Sequence, residues 1–254
     1  MDKRIGAQFF TIKEFCKTLE DFEESCRKVS EIGYKVIQLS GIGDFKAEEI
    51  KKILDKYGLT VACTHRPPQN YIDNLEGEIE FHKTIGANIC GIGSMPAFNA
   101  KIETVEEFVK TYKPIADELK KHGMIFAYHN HAFEFEKCEG KYMLDHIIEG
   151  MNTDNFQFIL DVHWIARAGI DPAKFVRKYS DKIACVHYKD FKIVDNEPLF
   201  EKVGYGNMDW DSIIEACEET SAQFALVEQD KCYGEDPFEC LRKSYDYLVT
   251  KGYN

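Results

Sequence analysis

Short apolar segments alternate with longer amphipathic segments along the whole chain. The amphipathic segments repeat apolar residues at helical spacing, as Phe22, Cys26, Val29 and Ile32 do. Because each apolar segment precedes an amphipathic one, the pattern predicts eight strands that are each followed by a helix, with the strands near residues 5–10, 36–40, 60–64, 88–93, 124–129, 156–161, 183–187 and 224–228. This order favours a closed (β/α)8 TIM barrel, built as a single domain over residues 1–254, rather than an open doubly wound sheet.

Glycine and aspartate mark the expected ends and starts of helices. Four glycines lie where a left-handed C-cap would end a helix before the next strand: Gly33, Gly58, Gly86 and Gly123. Asp171, Asp209 and Asp236 are expected N-caps, and proline follows the first and third of them. Two longer connections, residues 66–74 and 190–208, are expected to cover the C-terminal mouth of the barrel.

The charge and the cysteine content of the chain limit the kinds of binding partner and the cellular compartment that are expected. The chain has 254 residues with 32 Lys and Arg against 44 Asp and Glu, a net charge of −12 that disfavours nucleic acid and anionic membranes. Its nine cysteines form no CxxC pair, so reduced thiols and a cytoplasmic location are expected. No segment has the apolar length of a signal peptide or of a membrane span.

Four of the expected strands end in residues that commonly bind metals. The segments FAYHNH, FILDVH, ACVHYK and ALVEQD bring His129, Asp161, His187 and Glu228 to the ends of strands five to eight. Buried groups of this kind need a partner or a metal, and the C-terminal ends of barrel strands meet at one mouth. We therefore expect these four side chains to bind one divalent ion.

The donor set restricts the metal. Two imidazole nitrogens and two carboxylates suit Mn²⁺, Co²⁺, Zn²⁺ or Ni²⁺ and are too rich in nitrogen for Mg²⁺ or Ca²⁺. His65, at the end of the third strand, is expected either to contact substrate or to have a structural role. Three further histidines fall within expected helices and are assigned surface or packing roles: His82, His122 and His146.

Five segments resemble the sugar phosphate isomerase/epimerase family. They are YHNHAFEFE (128–136), LDVHWIARAGIDP (160–172), CVHYKDF (185–191), VGYGNMDW (203–210) and LVEQD (226–230). That family belongs to the xylose isomerase-like TIM barrels, which also include ketose 3-epimerases, inosose dehydratase and endonuclease IV. The resemblance runs in order over the whole chain and implies a divalent metal, commonly manganese, at the barrel mouth.

By motif position, the resemblance assigns Asp161, His187 and Glu228 as metal ligands. The fifth-strand ligand of the ketose 3-epimerases is a glutamate, whereas His129 stands at the matching position of this chain. In those enzymes the fifth- and eighth-strand glutamates act as two bases on opposite faces of the substrate. In this chain the second proton-transfer group is expected to be Glu134 or His131. The presence of His129 in place of a glutamate also favours a one-base isomerisation or a β-elimination.

A substrate whose carbonyl and adjacent hydroxyl bind the ion would lose the proton alpha to the carbonyl. Glu228 is the first choice for the base that removes this proton. Lys189 is expected to polarise or neutralise a substrate oxygen, and a salt bridge with Asp190 is the alternative role for this lysine.

Several other residues are candidates for substrate binding. The two-residue alternation of a strand places His163 on the same side as Asp161. Trp164, with Phe9, Phe10 and Tyr205, would form an apolar wall against a sugar ring, and Gln8 and Gln38 would bind hydroxyl groups. Arg66 and Arg167 would suit an acidic or phosphorylated substrate, although no glycine-rich phosphate loop accompanies them.

The leading functional hypothesis is a metal-dependent isomerase or epimerase that acts on a small carbohydrate or keto-sugar. A metal-dependent lyase or dehydratase acting on an inosose or 3-keto-glycoside is the alternative, and a non-catalytic sugar-binding barrel is a third hypothesis. The net charge opposes a repair nuclease. A homodimer that pairs through the apolar stripe Phe238, Leu241, Tyr245 and Leu248 is possible, and core packing explains that stripe equally well.

Overall fold

The computed structural model describes residues 1–96 and 98–254. Eight parallel strands surround the barrel interior: β1 (Gly6–Gln8), β2 (Val36–Leu39), β3 (Thr60–Thr64), β4 (Ile89–Ile92), β5 (Ile125–His129), β6 (Phe156–Asp161), β7 (Ile183–Tyr188) and β8 (Phe224–Val227). Each is followed by an outer helix: α1 (Leu19–Ile32), α2 (Ala47–Tyr57), α3 (Leu75–Ile85), α4 (Ile102–Lys121), α5 (Met143–Met151), α6 (Pro172–Lys178), α7 (Trp210–Glu218) and α8 (Pro237–Thr250). The prediction of a (β/α)8 barrel is confirmed.

The hydrogen-bonded order of the strands is β3-β2-β1-β8-β7-β6-β5-β4, and the barrel is nearly closed between β3 and β4. The two strands meet through one parallel bridge between Arg66 and Ile92, where the Arg66 amide donates to the Gly91 carbonyl at 2.9 Å. A Cβ on Gly91 would lie 2.2 Å from the carbonyl oxygen of Thr64. The absence of a side chain on Gly91 therefore permits the approach that closes the barrel.

Helix ends follow the expected chemistry. The side chains of Asp171, Asp209 and Asp236 each accept a backbone amide hydrogen bond at the start of α6, α7 and α8. Gly58 and Gly86 end α2 and α3 in the left-handed conformation, with φ of 65° and 75°. These positions were predicted correctly because both kinds of cap depend on local chemistry.

The first strand is shorter than predicted. It ends at Gln8, and residues Phe9–Phe15 form a 3-10 helix instead. The side-chain oxygen of Gln8 accepts the amide hydrogen of Phe10 and caps this helix. Phe9 is buried in the core, whereas Phe10 reaches the mouth of the barrel.

Both long connections contain regular structure. Residues Pro68–Asp73 form a short helix before α3, and Asp190–Val194 pairs with Glu197–Glu201 as an antiparallel hairpin before α7. Val162–Arg167 forms another short helix before α6, and a 3-10 turn (Phe133–Phe135) and a two-stranded pair (Lys137–Cys138 with Lys141–Tyr142) precede α5. Among the described residues, no helix combines the length and the apolar character needed to cross a membrane.

Two apolar layers hold the barrel together. Small and branched side chains fill its interior, and a larger cluster lies between the strands and the outer helices. Phe238, Leu241 and Leu248 of α8 belong to this outer layer, and Tyr245 packs on Tyr34 with ring centroids 4.9 Å apart. Core packing, one of the two explanations offered for this stripe, therefore accounts for Phe238, Leu241 and Leu248, and Tyr245 is half-buried.

Candidate metal centre

Four side chains from four neighbouring strands converge at the C-terminal mouth. They are His129 and Asp161 at the ends of β5 and β6, His187 near the end of β7, and Glu228 directly after β8. One ligand atom from each lies within 4.8 Å of the others, and all four residues are buried. Because β6 and β7 pair Asp161 with His187, the sheet itself sets their spacing.

His129 presents a nitrogen lone pair to this cluster. Its Nδ1 lies 3.0 Å from the carbonyl oxygen of Gly93, which can only accept, so Nδ1 carries the proton and donates. The other ring nitrogen, Nε2, is then the free acceptor and lies 3.3 Å from Oδ2 of Asp161. A nitrogen lone pair facing a carboxylate oxygen is favourable only when a cation, either a proton or a metal ion, lies between them.

His187 repeats this arrangement with the opposite nitrogens. Its Nε2 donates to the side-chain oxygen of Gln38 at 2.6 Å. Its Nδ1 lies 3.0 Å from Oε2 of Glu228 but makes no hydrogen bond within the described residues. Burial lowers the pKa of His187, but Glu228 and Asp161 outweigh burial and raise this pKa to about 9. The position thus favours a positive charge.

Asp161 divides its two oxygens between structure and site. Oδ1 accepts the amide hydrogens of His163 and Trp164 at 2.9 and 3.3 Å, and so caps the short helix Val162–Arg167. Oδ2 is left to face the cluster. Burial alone would raise the pKa of this carboxyl, but Lys189 and His129 outweigh burial and hold the pKa well below its usual range.

Lys189 is the buried cation of the site. Its Nζ lies 2.7 Å from Asp230 Oδ1, 3.1 Å from Glu228 Oε2 and 3.3 Å from Asp161 Oδ2. Burial lowers the pKa of this ammonium, but these carboxylates outweigh burial and raise the pKa above its usual range. Burial would raise the pKa of Glu228, but Lys189 and His187 outweigh burial and hold this pKa well below its usual range.

The alternative salt bridge between Lys189 and Asp190 was wrong. The carboxylate of Asp190 accepts the indole N–H of Trp210 at 2.7 Å. It also accepts backbone amides from the connection before α7, those of Phe191, Gly204, Gly206 and Met208. Asp190 therefore organises this connection, and Lys189 points into the mouth.

The residues present fit a divalent ion. The cluster offers two imidazole nitrogens and two carboxylates that face one another, a donor set that first-row transition ions accept. The second nitrogen of each imidazole is held by an acceptor, which is the usual way in which proteins fix the tautomer of a metal-binding histidine.

A cavity of about 570 Å³ opens directly above this cluster. His129, Glu228 and Lys189 reach its surface, whereas Asp161 and His187 lie beneath it with no exposed surface. Its walls come from the strand ends and from the connections after β1, β2 and β3: Phe10, Leu39, Ser40, Gly41, Ile42, Gly43, Asp44, His65, Arg66, Pro67, Asn70, Phe81, Gly93, His131 and Asp230.

Two of the histidines expected at the substrate site line this cavity. The ring of His65 lies 5.0 Å from that of His129, and the ring of His131 stacks on Phe133 at 5.0 Å. Burial lowers the pKa of His65 well below 6.5 and that of His131 to about 3. His131 is thus a weak base near neutral pH, which differs from the proton-shuttling role expected for a freely titrating imidazole.

Glu134 lies outside the cavity lining. Its side chain is fully buried and accepts hydrogen bonds from the Tyr128 hydroxyl at 2.6 Å and the His131 amide at 2.7 Å. Burial raises the pKa of this carboxyl to about 7. These contacts organise the turn after β5 and hold Glu134 behind the wall of the cavity.

Another carboxylate beside Glu228 at the cavity is that of Asp230, which was not among the predicted site residues. It lines the cavity beside Lys189, and burial raises its pKa to about 6. The signal was present in the segment LVEQD, because residues two apart at the end of a strand lie on one side.

The remaining predicted contacts divide into two groups. Arg66 lines the cavity with its guanidinium bound to Glu78 through Nε and Nη2 at 2.9 and 2.8 Å. The other residues do not belong to the cavity lining of the described chain: Gln8, Gln38, His163, Trp164, Phe9, Tyr205 and Arg167. Gln38 instead orients His187, and Gln8 caps the 3-10 helix.

His163 and Trp164 stand behind Lys189 rather than in the cavity. The helix that Asp161 caps begins at Val162, so the two-residue alternation expected for His163 does not apply. Phe200 of the hairpin packs on His163 with ring centroids 4.9 Å apart, and the Trp164 ring lies 5.0 Å from Nζ of Lys189. These aromatic groups shield the ammonium from water.

Comparison with known proteins agrees with this architecture. A sugar phosphate isomerase/epimerase from Parabacteroides distasonis is 22% identical, with a TM-score of 0.79 over 97% of this chain and 93% of that chain. The probable 3-DHS dehydratase AsbF of Bacillus anthracis is 15% identical, with a TM-score of 0.74 over 98% and 99%. A xylose isomerase-like TIM barrel protein from Mycobacterium smegmatis, solved in complex with magnesium, is 16% identical, with a TM-score of 0.73 over 98% and 97%.

At these identities the likeness shows the fold, and no curated protein sequence is detectably similar to this chain. The family model for the xylose isomerase-like TIM barrel matches residues 26–243. The chain therefore belongs to the xylose isomerase-like TIM barrel family.

Proposed function

We propose that this protein is a divalent-metal-dependent isomerase or epimerase that moves a proton alpha to the carbonyl of a small sugar or keto-sugar. The observation that carries the proposal is the buried set His129, Asp161, His187 and Glu228, which lies directly beneath a 570 Å³ cavity. Cavities of this size hold small-molecule ligands. The isomerase/epimerase of P. distasonis, which has the same fold, supports the reaction class.

Manganese is our first choice of ion, with cobalt, zinc or nickel as alternatives, because two of the four donors are imidazole nitrogens. The M. smegmatis neighbour in complex with magnesium supports a divalent ion and makes magnesium a necessary comparison. When bound, the ion would polarise the substrate carbonyl and stabilise the negative charge that develops on its oxygen.

The protein's own residues would supply proton transfer and orientation. We assign Glu228 as the base, because its carboxylate both reaches the cavity and belongs to the cluster that would hold the ion, beside the proton to be removed. Lys189 would donate a hydrogen bond to a substrate oxygen, and Asp230 would hold this ammonium in place at 2.7 Å. Burial by the aromatic groups behind Lys189 would strengthen these charged contacts by excluding water.

Deuterium exchange tests this proposal. The protein is loaded with Mn²⁺ and incubated in D₂O with a panel of ketoses and 3-keto-sugars, and the recovered sugars are analysed by mass spectrometry. Deuterium at the carbon next to the carbonyl, without loss of water, supports the proposal. Glu228→Gln should lose the exchange, whereas Asp154→Asn, at a carboxylate whose side chain is 93% exposed, should retain it.

Two other outcomes would replace the proposal. A metal-dependent lyase or dehydratase is favoured by His129 in place of a second carboxylate and by the fold shared with the B. anthracis dehydratase. An unsaturated product would establish that activity. Tight sugar binding with no exchange of any C–H proton would indicate a non-catalytic sugar-binding barrel.

The nine cysteines are free, which supports a cytoplasmic location for this activity.

A further inference from the structure

Positive charge in the cavity is already neutralised. Among the residues that the structure describes, the cavity lining contains two cationic side chains, Lys189 and Arg66. The ammonium of Lys189 is shared by Asp161, Glu228 and Asp230 at 2.7 to 3.3 Å. A divalent ion bound beside this group would leave no excess positive charge. The charges of one ammonium and one M²⁺ together only cancel the charges of the three carboxylates.

Arg66 is equally committed. Its Nε and Nη2 bind both oxygens of Glu78, and the buried Glu78 carboxylate also accepts from Asn70 at 2.9 Å. The Phe81 ring covers the guanidinium 4.2 Å away. One edge of the guanidinium, formed by Nε and Nη2 and able to bind two oxygens of a phosphate group, is therefore occupied by a carboxylate of the protein.

The remaining charged groups of the cavity are acidic. Asp44 contributes an exposed carboxylate to the wall formed by the connection after β2. In the same connection the amide of Gly43 donates to the carbonyl of Cys16 at 2.8 Å, so this glycine-containing turn does not offer that amide to an anion. The exposed Lys46 does not belong to the cavity lining and lines an adjoining depression, whose wall also includes Arg66. A phosphate dianion in the cavity would thus face carboxylates without an unpaired cation among the described lining residues.

The cavity does offer partners for hydroxyl groups. Nε2 of His65 and Nδ1 of His131 are buried ring nitrogens that make no hydrogen bond within the described parts of the chain. Both residues line the cavity, as do Phe10 and Phe81. Single hydrogen-bonding atoms between aromatic faces suit a polyhydroxylated carbon chain, because the hydroxyls bind the nitrogens and the C–H faces pack on the rings.

We propose that the cavity takes an uncharged, unphosphorylated sugar and disfavours the phosphate ester of the same sugar. The inference rests on the proposed function for the statement that the substrate is a sugar. It adds that electrostatics at Arg66, Asp44 and Asp230 select against a phosphate group.

Matched pairs of sugars test the inference. The Mn²⁺-loaded protein is titrated calorimetrically with fructose and fructose 6-phosphate, ribulose and ribulose 5-phosphate, and tagatose and tagatose 6-phosphate. We expect at least one free sugar to bind about tenfold or more tightly than its phosphate ester, a difference of about 1.4 kcal/mol. Equal or tighter binding of the ester in every pair, or no binding of any free sugar, would overturn the inference.

Deuterium incorporation separates this inference from the proposed function. Exchange into the phosphate esters in preference to the free sugars would overturn the inference and leave the proton-transfer proposal standing. Preferential binding of free sugars without exchange into any of them would support the inference and contradict the proposed function.

A charge reversal tests the cause of the preference. Asp44→Lys places a cation at an exposed position of the cavity wall and should reduce the preference for the free sugar by about fivefold or more. Asp154→Lys makes the same change outside the cavity lining and should leave the preference unchanged. Thermal melting of both variants establishes that they are folded, and an unchanged preference in Asp44→Lys would contradict the electrostatic explanation.

Discussion

The side-chain oxygen of Gln38 accepts a hydrogen bond from Nε2 of His187 at 2.6 Å. The two residues are 149 positions apart in the chain, and both are fully buried. This contact holds the ring so that Nδ1 of His187 faces the carboxylates of the cluster. Gln38 is thus a positioning residue for His187, one of the proposed metal ligands.

Gln38→Met should weaken metal binding. The substitution keeps the side-chain volume but removes the acceptor that fixes the His187 tautomer, and losses of this kind cost about 10- to 100-fold in metal affinity. Competition with a fluorescent chelator measures the Kd for Mn²⁺ and Zn²⁺. Gln8→Met is the matched control, because Gln8 is equally buried but caps the 3-10 helix and contacts no ligand histidine. Equal affinities in the two variants would refute the role of Gln38.

Lys189→Met should destabilise the metal-free protein more than the metal-loaded protein. Without its ammonium, three buried or half-buried carboxylates lose their compensating charge, and removing one partner of a buried ion pair costs about 3 to 5 kcal/mol. A bound divalent ion restores part of this charge balance. Urea unfolding with EDTA and with saturating Mn²⁺ gives the two free energies.

Lys202→Met provides the comparison for Lys189. Lys202 is also buried and binds Glu201 and Glu235 at 2.7 and 2.6 Å, but neither of these partners belongs to the metal cluster. Relative to the wild type, Lys202→Met should lower the free energy of unfolding by the same amount with and without metal. If Lys189→Met behaves in the same way, Lys189 does not compensate the charge of the metal site.

His82 should make stability depend on pH. Burial lowers its pKa to about 4 from 6.5, although the hydrogen bond from its ring to the Glu78 carbonyl opposes this shift. The unfolded chain binds this proton below pH 6.5 and the folded protein does not, so the stabilisation is present above pH 6.5 and is lost as pH falls to 4. The loss is about 3 kcal/mol at most.

Comparison with His82→Gln isolates this effect, since glutamine does not titrate. Urea unfolding at pH 7, 6, 5 and 4 should show the stability advantage of the wild type over the variant decreasing steadily. A difference that is constant over this range would show that His82 has an ordinary pKa in the folded protein.

Gly91→Ala should destabilise the closure of the barrel. The new methyl group would meet the Thr64 carbonyl oxygen at 2.2 Å and Cδ1 of Ile159 at 2.6 Å, and overpacking of this kind costs about 3 kcal/mol. Gly93→Ala is the control, because its nearest neighbour would be Nδ1 of His65 at an ordinary 3.4 Å. Similar unfolding midpoints for the two variants would show that the close approach of β3 and β4 at Gly91 does not contribute to the stability of the barrel.

The barrel could be predicted because its strands and helices follow local rules. The alternation of apolar and amphipathic segments, the aspartate caps and the glycine ends depend on residues close in sequence. Ligand candidates at strand ends could be found for the same reason, since the carboxyl ends of parallel strands share one edge.

Contacts between distant segments could not be predicted. The sequence gives no sign that Glu78 neutralises Arg66 or that Gln38 binds His187, because both contacts arise only when the barrel closes. His163 was misplaced because the side chain of Asp161 starts a helix one residue after the strand. Asp230 was overlooked as a site residue because strand alternation places it beside Glu228 without revealing its contact with Lys189.

The location of a bound ion tests the central claim most directly. Crystals soaked in MnCl₂, measured at the manganese absorption edge, should show one anomalous peak per chain, with His129 Nε2, Asp161 Oδ2, His187 Nδ1 and a Glu228 oxygen about 2.0 to 2.3 Å away. A peak at another site, or no peak under saturating Mn²⁺, Co²⁺ and Zn²⁺, would contradict the proposed metal centre and the reaction that depends on it.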